Sequence, residues 1–220
     1  HRKFLKETKV PVVVIGQHTS LANCIYHDDY GAGKAMGQAV AGFSKKGVAY
    51  IGVTRDDKAA GAAREDGFIA GLKNAGIVLL EENKRTSAFT LESGYEAALD
   101  LLESKCDIDV ISCATDTIAA GAIEAIQTYL KKQIPENAAD AGARMRYILE
   151  NTSLRVTGFG DNQMLKAVTG GIPTIHFGYK TSGIRGAELL LDSIERGEQI
   201  PIEMKLGFRL VGTSDSDFEF

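Results

Sequence analysis

Strand-length runs of β-branched and apolar residues recur along this chain, separated by longer stretches of helical period. Few folds accommodate that alternation other than a parallel sheet covered by helices on both faces. The runs are VPVVVIG (10–16), VAYIGV (48–53), IVLLE (77–81), IDVISCA (108–114), LRVTGFG (154–160) and IPTIHFG (172–178). Helical patterns fill 31–46, 60–75, 90–105, 116–132, 162–168 and 181–196, most with Gly or Lys near the exit. A last pair of strands is expected within 202–211, so the fold class is α/β. Segment 135–152 (PENAADAGARMRYILENT) breaks the rhythm and reads as a surface excursion, and the acidic tail SDSDFEF (214–220) as frayed and solvated.

Composition narrows the function. With 220 residues, 44% apolar and 25% charged, the chain has room for one large or two modest domains with ordinary cores. Lys and Arg number 25 against 29 Asp and Glu, a net charge of −4 that argues against this segment itself gripping a polyanion. Cys24, Cys106 and Cys113 form no CxxC pair, two of them sit in apolar runs and read as reduced, buried thiols, and no structural metal is expected. No apolar run approaches a membrane span and no secretion signal opens the chain, which points to a cytoplasmic home; the first residue is His1, as in a fragment or a processed product.

Single motifs each carry two readings. GAGKAMG (31–37) invites a nucleotide site, but polar HDDY precedes it and its spacing is not the dinucleotide fingerprint, so close helix packing accounts for the small residues better. Asp116 opens a helix directly after a strand and reads as its N-cap; from the same position Ser112, Thr115 and Asp116 also face the crevice where open α/β sheets bind ligands. Arg64 falls in the first turn of a helix, where a cation opposes the helix dipole, a placement easier to tolerate if the guanidinium forks onto a ligand. In GFGDN (158–162), Asp161 is expected to cap a short helix or contact a ligand, and Tyr179 at the next strand end to floor a pocket or simply pack. The four histidines lack metal-ligand spacing, no Ser sits in G-x-S-x-G, and no cofactor motif emerges. What recurs at strand ends is Asp, Arg, Thr, Gln and aromatic groups, a set suited to bridging sugar hydroxyls and covering an apolar ring face.

The order of these motifs is identifiable. VPVVVIG, HDDYGAG, VAYIGV, ARxxGF (63–68), TDTIAAGA (115–122), VTGFGDN and FGYKTSGIRGAELLL (177–191) together resemble the effector-binding core of the lactose/galactose repressor (LacI/GalR) family over nearly the whole chain. GFGDN followed by FGYKTSG is most similar to Gram-positive regulators of sucrose or related glucosides. The resemblance implies a periplasmic-binding-protein-like architecture, two Rossmann-like subdomains joined by three crossovers near Asp29, Phe177 and Leu206. Residues 1–29 plus 177–206 would form the N-terminal subdomain, and 30–176 plus 207–220 the C-terminal one. The family's helix-turn-helix headpiece and first β-α units are not in this sequence, so the N-terminal lobe is expected to be incomplete, with 1–9 the end of a later helix.

Carried over by position, the resemblance makes Arg64 the effector-binding arginine and sets Gln17, Asp28, Thr115, Asp116 and Tyr179 along the crevice; Ser112 and Asp161 complete the expected ligand set. The family's strand-end acid is replaced by Gly16 in one place and by Gly160 in another, with Asp161 one residue later. The implied function is effector binding and dimerisation in a sugar-responsive repressor. Its partners would be a mono- or disaccharide, operator DNA through the headpiece and a second copy docked through 60–75 and 90–105, with no membrane. A sugar-binding protein that serves a transporter is the rival reading, and a nucleotide-using α/β enzyme a third. Replacing Arg64 by Ala is expected to remove the ligand response with little effect on unliganded stability.

Overall fold

The computed structural model describes residues 2–134, 140, 142–143, 154–197 and 201–212. The excursion at 135–152 and the acidic tail lie almost wholly outside the described residues. Helix α1 (Arg2–Glu7) precedes β1 (Val13–Ile15) and β2 (Asn23–His27). There follow α2 (Asp29–Phe43), β3 (Val48–Gly52), a π-helical segment (Lys58–Ala63) running into α3 (Arg64–Asn74), β4 (Lys84–Thr86), α4 (Leu91–Glu103), β5 (Val110–Cys113) and α5 (Asp116–Gln133). The chain continues through β6 (Arg155–Thr157), α6 (Gln163–Thr169), β7 (Thr174–Phe177), α7 (Tyr179–Arg196), β8 (Glu203–Leu206) and β9 (Phe208–Val211).

Three sheets result. One is parallel in the order β1-β2-β8, a second parallel in the order β4-β3-β5-β6, and β7 pairs with β9 antiparallel. Backbone bonds from Gly158 N to Pro173 O and from Gly160 N to Ile175 O, both 2.9 Å, tie β7 to the end of β6. The expected closing strand pair is therefore corrected: β8 and β9 are adjacent in sequence but join different sheets, the chain crossing between them at Gly207. The expected strand over 77–81 is also corrected. Gly76 adopts a positive φ of 78° and Val78 is 73% exposed, so the apolar run never enters a sheet, and the charged KRT of β4 pairs with β3 instead.

The larger core is built by two helix pairs against the four-stranded sheet, with Tyr50, Ile51, Phe68, Leu72, Leu101, Ile111 and Ile118 buried. Backbone-to-backbone proximity dictates the small residues of α2 and α3. A Cβ on Gly33 would lie 2.3 Å from Arg64 O, and one on Gly67 2.1 Å from Tyr30 O, distances no side chain tolerates. The packing reading of GAGKAMG therefore describes this structure, and the same device recurs where Gly121 meets Leu91 O in the α4–α5 pair. In the smaller sheet, β1 bonds to β2 alone among the described residues, while Ile15 and the α7 residues Ile184, Leu191 and Ile194 stand exposed.

Candidate functional site

Arg64 is the centre of a largely buried cluster at the strand ends, and it meets the cavity described below through Asp29. The π-helical segment before it carries the real helix start, where Asp57 accepts hydrogen bonds from the Ala59 and Ala60 N–H groups. Arg64 thus lies a turn and a half inside a continuous helical stretch, and the expected dipole penalty is small because that effect is confined to the first turn. Its Nε donates to Asp29 Oδ1 (2.8 Å) and its Nη1 to Ala114 O (2.7 Å). The guanidinium lies over the rings of Phe159 (5.0 Å) and Phe177 (5.3 Å), a cation–π seat formed where β6 and β7 end. Arg64 and Asp29 side chains are only 13% and 8% exposed, so Arg64→Ala would strand a buried carboxylate. The expectation of unchanged unliganded stability is corrected on that ground.

On the other side of Phe177 the chain passes between the sheets. His27, the last residue of β2, lays its ring on Phe177 (4.7 Å between centroids) and meets the edge of Tyr179 (5.6 Å). Burial lowers the His27 pKa from its ordinary value, Asp29 opposing and Arg64 adding to the effect. Beside it Asp28 caps α2 through the Gly31 N–H and pairs with Lys205 Nζ at 2.7 Å. Partial burial works against ionisation of Asp28, but the Lys205 ammonium and the Gly31 N–H outweigh it and hold the carboxyl below its usual range. Tyr179 opens α7, half exposed; partial burial raises its phenol pKa, with Arg64 opposing.

The remaining expected residues separate. Thr115, not Asp116, caps α5, accepting from the Ile118 N–H. Asp116 sits one residue inside, 4% exposed, and both its oxygens are engaged: Asn162 N–H donates to Oδ2 (2.6 Å) and the Thr174 hydroxyl to Oδ1 (2.7 Å). It staples the 158–162 loop and β7 to α5, and burial raises its pKa. Asn162 rather than Asp161 caps α6; Asp161 instead takes a positive φ of 51° and accepts from His176 Nδ1 at 2.8 Å. Ser112 is fully buried and its hydroxyl accepts from Thr157, which puts it beneath the floor and not on a wall. Asp116 and Arg64 nevertheless share one neighbourhood, because the Asp116 N–H donates to Phe159 O and the Phe159 ring carries Arg64.

A cavity of about 390 Å³ opens beside this cluster, with Gln17, His27, Asp28, Asp29, Lys58 and Lys205 in its wall. It shares Gln17, His18 and Lys58 with a larger neighbouring cavity of about 1070 Å³. The smaller of the two has the size of a small-molecule site and a mixed polar and aromatic lining. The groups present are hydrogen-bonding and charge-pairing. Sequence reasoning missed Asp29, His27, Phe159 and Phe177. A hint lies in the doubled acid of HDDY, where Asp29 turns to Arg64 and Asp28 to Lys205.

Residues 3–169 match the periplasmic binding protein domain family. The sucrose operon repressor of Staphylococcus xylosus is 28% identical over 183 residues, covering 83% of this chain and 51% of that protein, so the chain spans about half the length of this relative. Among solved structures, the trehalose repressor from Escherichia coli superposes with a TM-score of 0.74 at 20% identity, over 96% of this chain and 72% of that one. The transcriptional regulator CelR in complex with cellobiose gives a TM-score of 0.78 at 20% identity, over 96% and 60%. No helix among the described residues is long and apolar enough to cross a membrane. The chain belongs to the periplasmic binding protein domain family, and the relatives and solved structures it is similar to include transcriptional regulators described as LacI-family.

Proposed function

We propose that this chain is the sugar-binding and dimerising part of a cytoplasmic transcriptional repressor and performs no catalysis of its own. The lobes are residues 1–29 with 177–206, and 30–176 with 207–220. A mono- or disaccharide enters between them, and the preferred inter-lobe angle of the bound state sets the spacing of two DNA-binding heads in a homodimer. Only a difference in affinity between two closure states transmits such a signal. The observation that carries the reading is Arg64, seated on two strand-end rings and paired with Asp29 beside the segments that pass between the sheets. A guanidinium held through Nε and Nη1 keeps Nη2 for a ligand hydroxyl, and the half-exposed ring of Tyr179 suits the apolar face of a pyranose. The names of the relatives, a sucrose operon repressor, a trehalose repressor and a regulator–cellobiose complex, favour the same ligand class.

Thermal-shift measurements with sucrose, trehalose and cellobiose test it. A ligand at 100 times its Kd adds ~2.7 kcal/mol, or about 5–10 °C for a chain of this size. Arg64→Ala is expected to lose the shift and, separately, about 3 kcal/mol of unliganded stability because Asp29 is left unpaired. Arg64→Lys, which keeps the charge without the fork, retains the fold and loses most of the shift. Absence of any shift in the parent protein, or equal shifts in parent and Arg64→Lys, refutes the proposal.

A further inference from the structure

His27 is held in one tautomer by a chain of two hydrogen bonds. Ser182 Oγ lies 3.0 Å from Gly178 O and 3.0 Å from His27 Nε2. A serine hydroxyl has a single proton, and a carbonyl oxygen can only accept, so that proton is committed to Gly178. With the Ser182 proton on Gly178, Oγ meets the imidazole as an acceptor and Nε2 carries the ring hydrogen. In a neutral imidazole the other nitrogen is then a bare lone pair.

Nδ1 has no hydrogen-bond partner among the described residues, yet it is not sealed. Tyr50 Oη alone, among the described residues, is a buried side-chain polar atom without a partner, so Nδ1 retains contact with solvent. His27 lines the 390 Å³ cavity together with Asp28 and Asp29, while Phe177 and Tyr179 cover the rest of its ring. The charged and titratable groups around it are Asp29 on α2, Arg64 on α3 and the Tyr179 phenol on α7. The Asp28–Lys205 pair lies along the same cavity, and the His18–Glu203 pair reaches it through His18. Burial works against protonation of the ring, which keeps the lone pair available at neutral pH.

We infer that His27 Nδ1 is a specificity-determining acceptor in the cleft, selecting ligands that present a hydroxyl hydrogen to it. The inference rests on the sugar-binding reading and names one of its contacts. A deoxy or O-methylated analogue at the contacting position leaves the lone pair facing an apolar group and binds less well. Ser182 acts through His27 as a positioning residue, since without it nothing fixes which nitrogen holds the hydrogen.

The test combines a tautomer measurement with binding. In protein labelled with 15N-histidine, two-bond proton–nitrogen correlation is expected to show His27 protonated at Nε2 and bare at Nδ1, with Ser182→Ala giving a mixture. Addition of whichever of sucrose, trehalose and cellobiose stabilises the protein shifts the Nδ1 resonance. His27→Gln keeps a donor toward Ser182 and loses the Nδ1 acceptor; it is expected to weaken that sugar by about fivefold, the worth of one neutral hydrogen bond. His27→Asn, with a carboxamide near the Nδ1 position, weakens it less. A predominant Nδ1–H tautomer in the free protein overturns the inference, as does parental affinity in a folded His27→Gln. Should that variant fail to fold, the tautomer and the sugar-induced Nδ1 shift in the parent decide. If none of the three sugars binds, the sugar reading itself falls, an outcome distinct from a sugar that binds without regard to His27.

Discussion

Replacing Tyr50 by Phe is expected to stabilise this protein, against the usual cost of a core substitution. Tyr50 lies on β3, 1% exposed, its ring stacked on Phe68 at 5.0 Å between centroids. Its hydroxyl finds no partner among the described residues, and burial raises its pKa, which keeps it protonated. An unsatisfied buried hydroxyl costs about 1–3 kcal/mol in lost hydration. The Phe side chain keeps the stacking and leaves a gap of one oxygen atom, whose lost dispersion contacts cost a few tenths of a kcal/mol. The net expectation is a gain of about 1 kcal/mol, or about 2–4 °C in Tm for a chain of this length. Urea unfolding followed by circular dichroism in parent and variant reads it directly, with an unchanged slope showing that the end states are the same. A loss of 1 kcal/mol or more would refute the reasoning, because it would mean that the hydroxyl is satisfied, by a buried water or a rearranged neighbour.

Two further predictions concern packing and pH. Gly67→Ala is expected to cost about 2 kcal/mol or more, since its Cβ would lie 2.1 Å from Tyr30 O, whereas Gly42→Ala in α2, with nothing within 4 Å, gains about 0.5–1 kcal/mol; equal effects in denaturant unfolding would remove the close-approach argument. For pH, His27 has its folded-state pKa lowered below the ordinary 6.5, so the unfolded chain takes up the proton first. Its contribution is whole above about 6.5 and is lost as pH falls below that value. A series of melts from pH 7.5 to 5 should therefore show a steeper decline in the parent than in His27→Gln, and parallel curves would contradict the assignment.

Much of the architecture was legible because β-branched runs buried on both faces carry an unmistakable pattern. VAYIGV and IDVISCA both became central strands of the larger sheet. Two strands escaped. NCIYH begins and ends with polar residues that are buried through specific bonds, Asn23 to Ser193 and His27 to Ser182, and no pattern of hydropathy announces such partners. KRT lies at a sheet edge where charged side chains reach solvent, while the more apolar IVLLE was excluded by the turn at Gly76. Local chemistry was legible to within one residue: Thr115 and Asn162 cap where Asp116 and Asp161 were expected, because an acid and its polar neighbour carry the same cue. The site was harder. Arg64 stood out by its position, but its partners come from 35 residues earlier and from the ends of two distant strands, a convergence that exists only once the sheets are assembled.

The passage between the sheets has a mechanical consequence. His27, Phe177 and Phe208 lie where three segments pass from one sheet to another, and these segments are bonded side by side, Asp28 N to Leu206 O and Phe177 opposite Phe208. Three laced strands form a strap, broad in one direction and thin in the other. Such a strap flexes readily about the axis across its width and resists torsion and sliding. On the two-lobe reading, a load carried by such a strap is expected to favour bending over twisting.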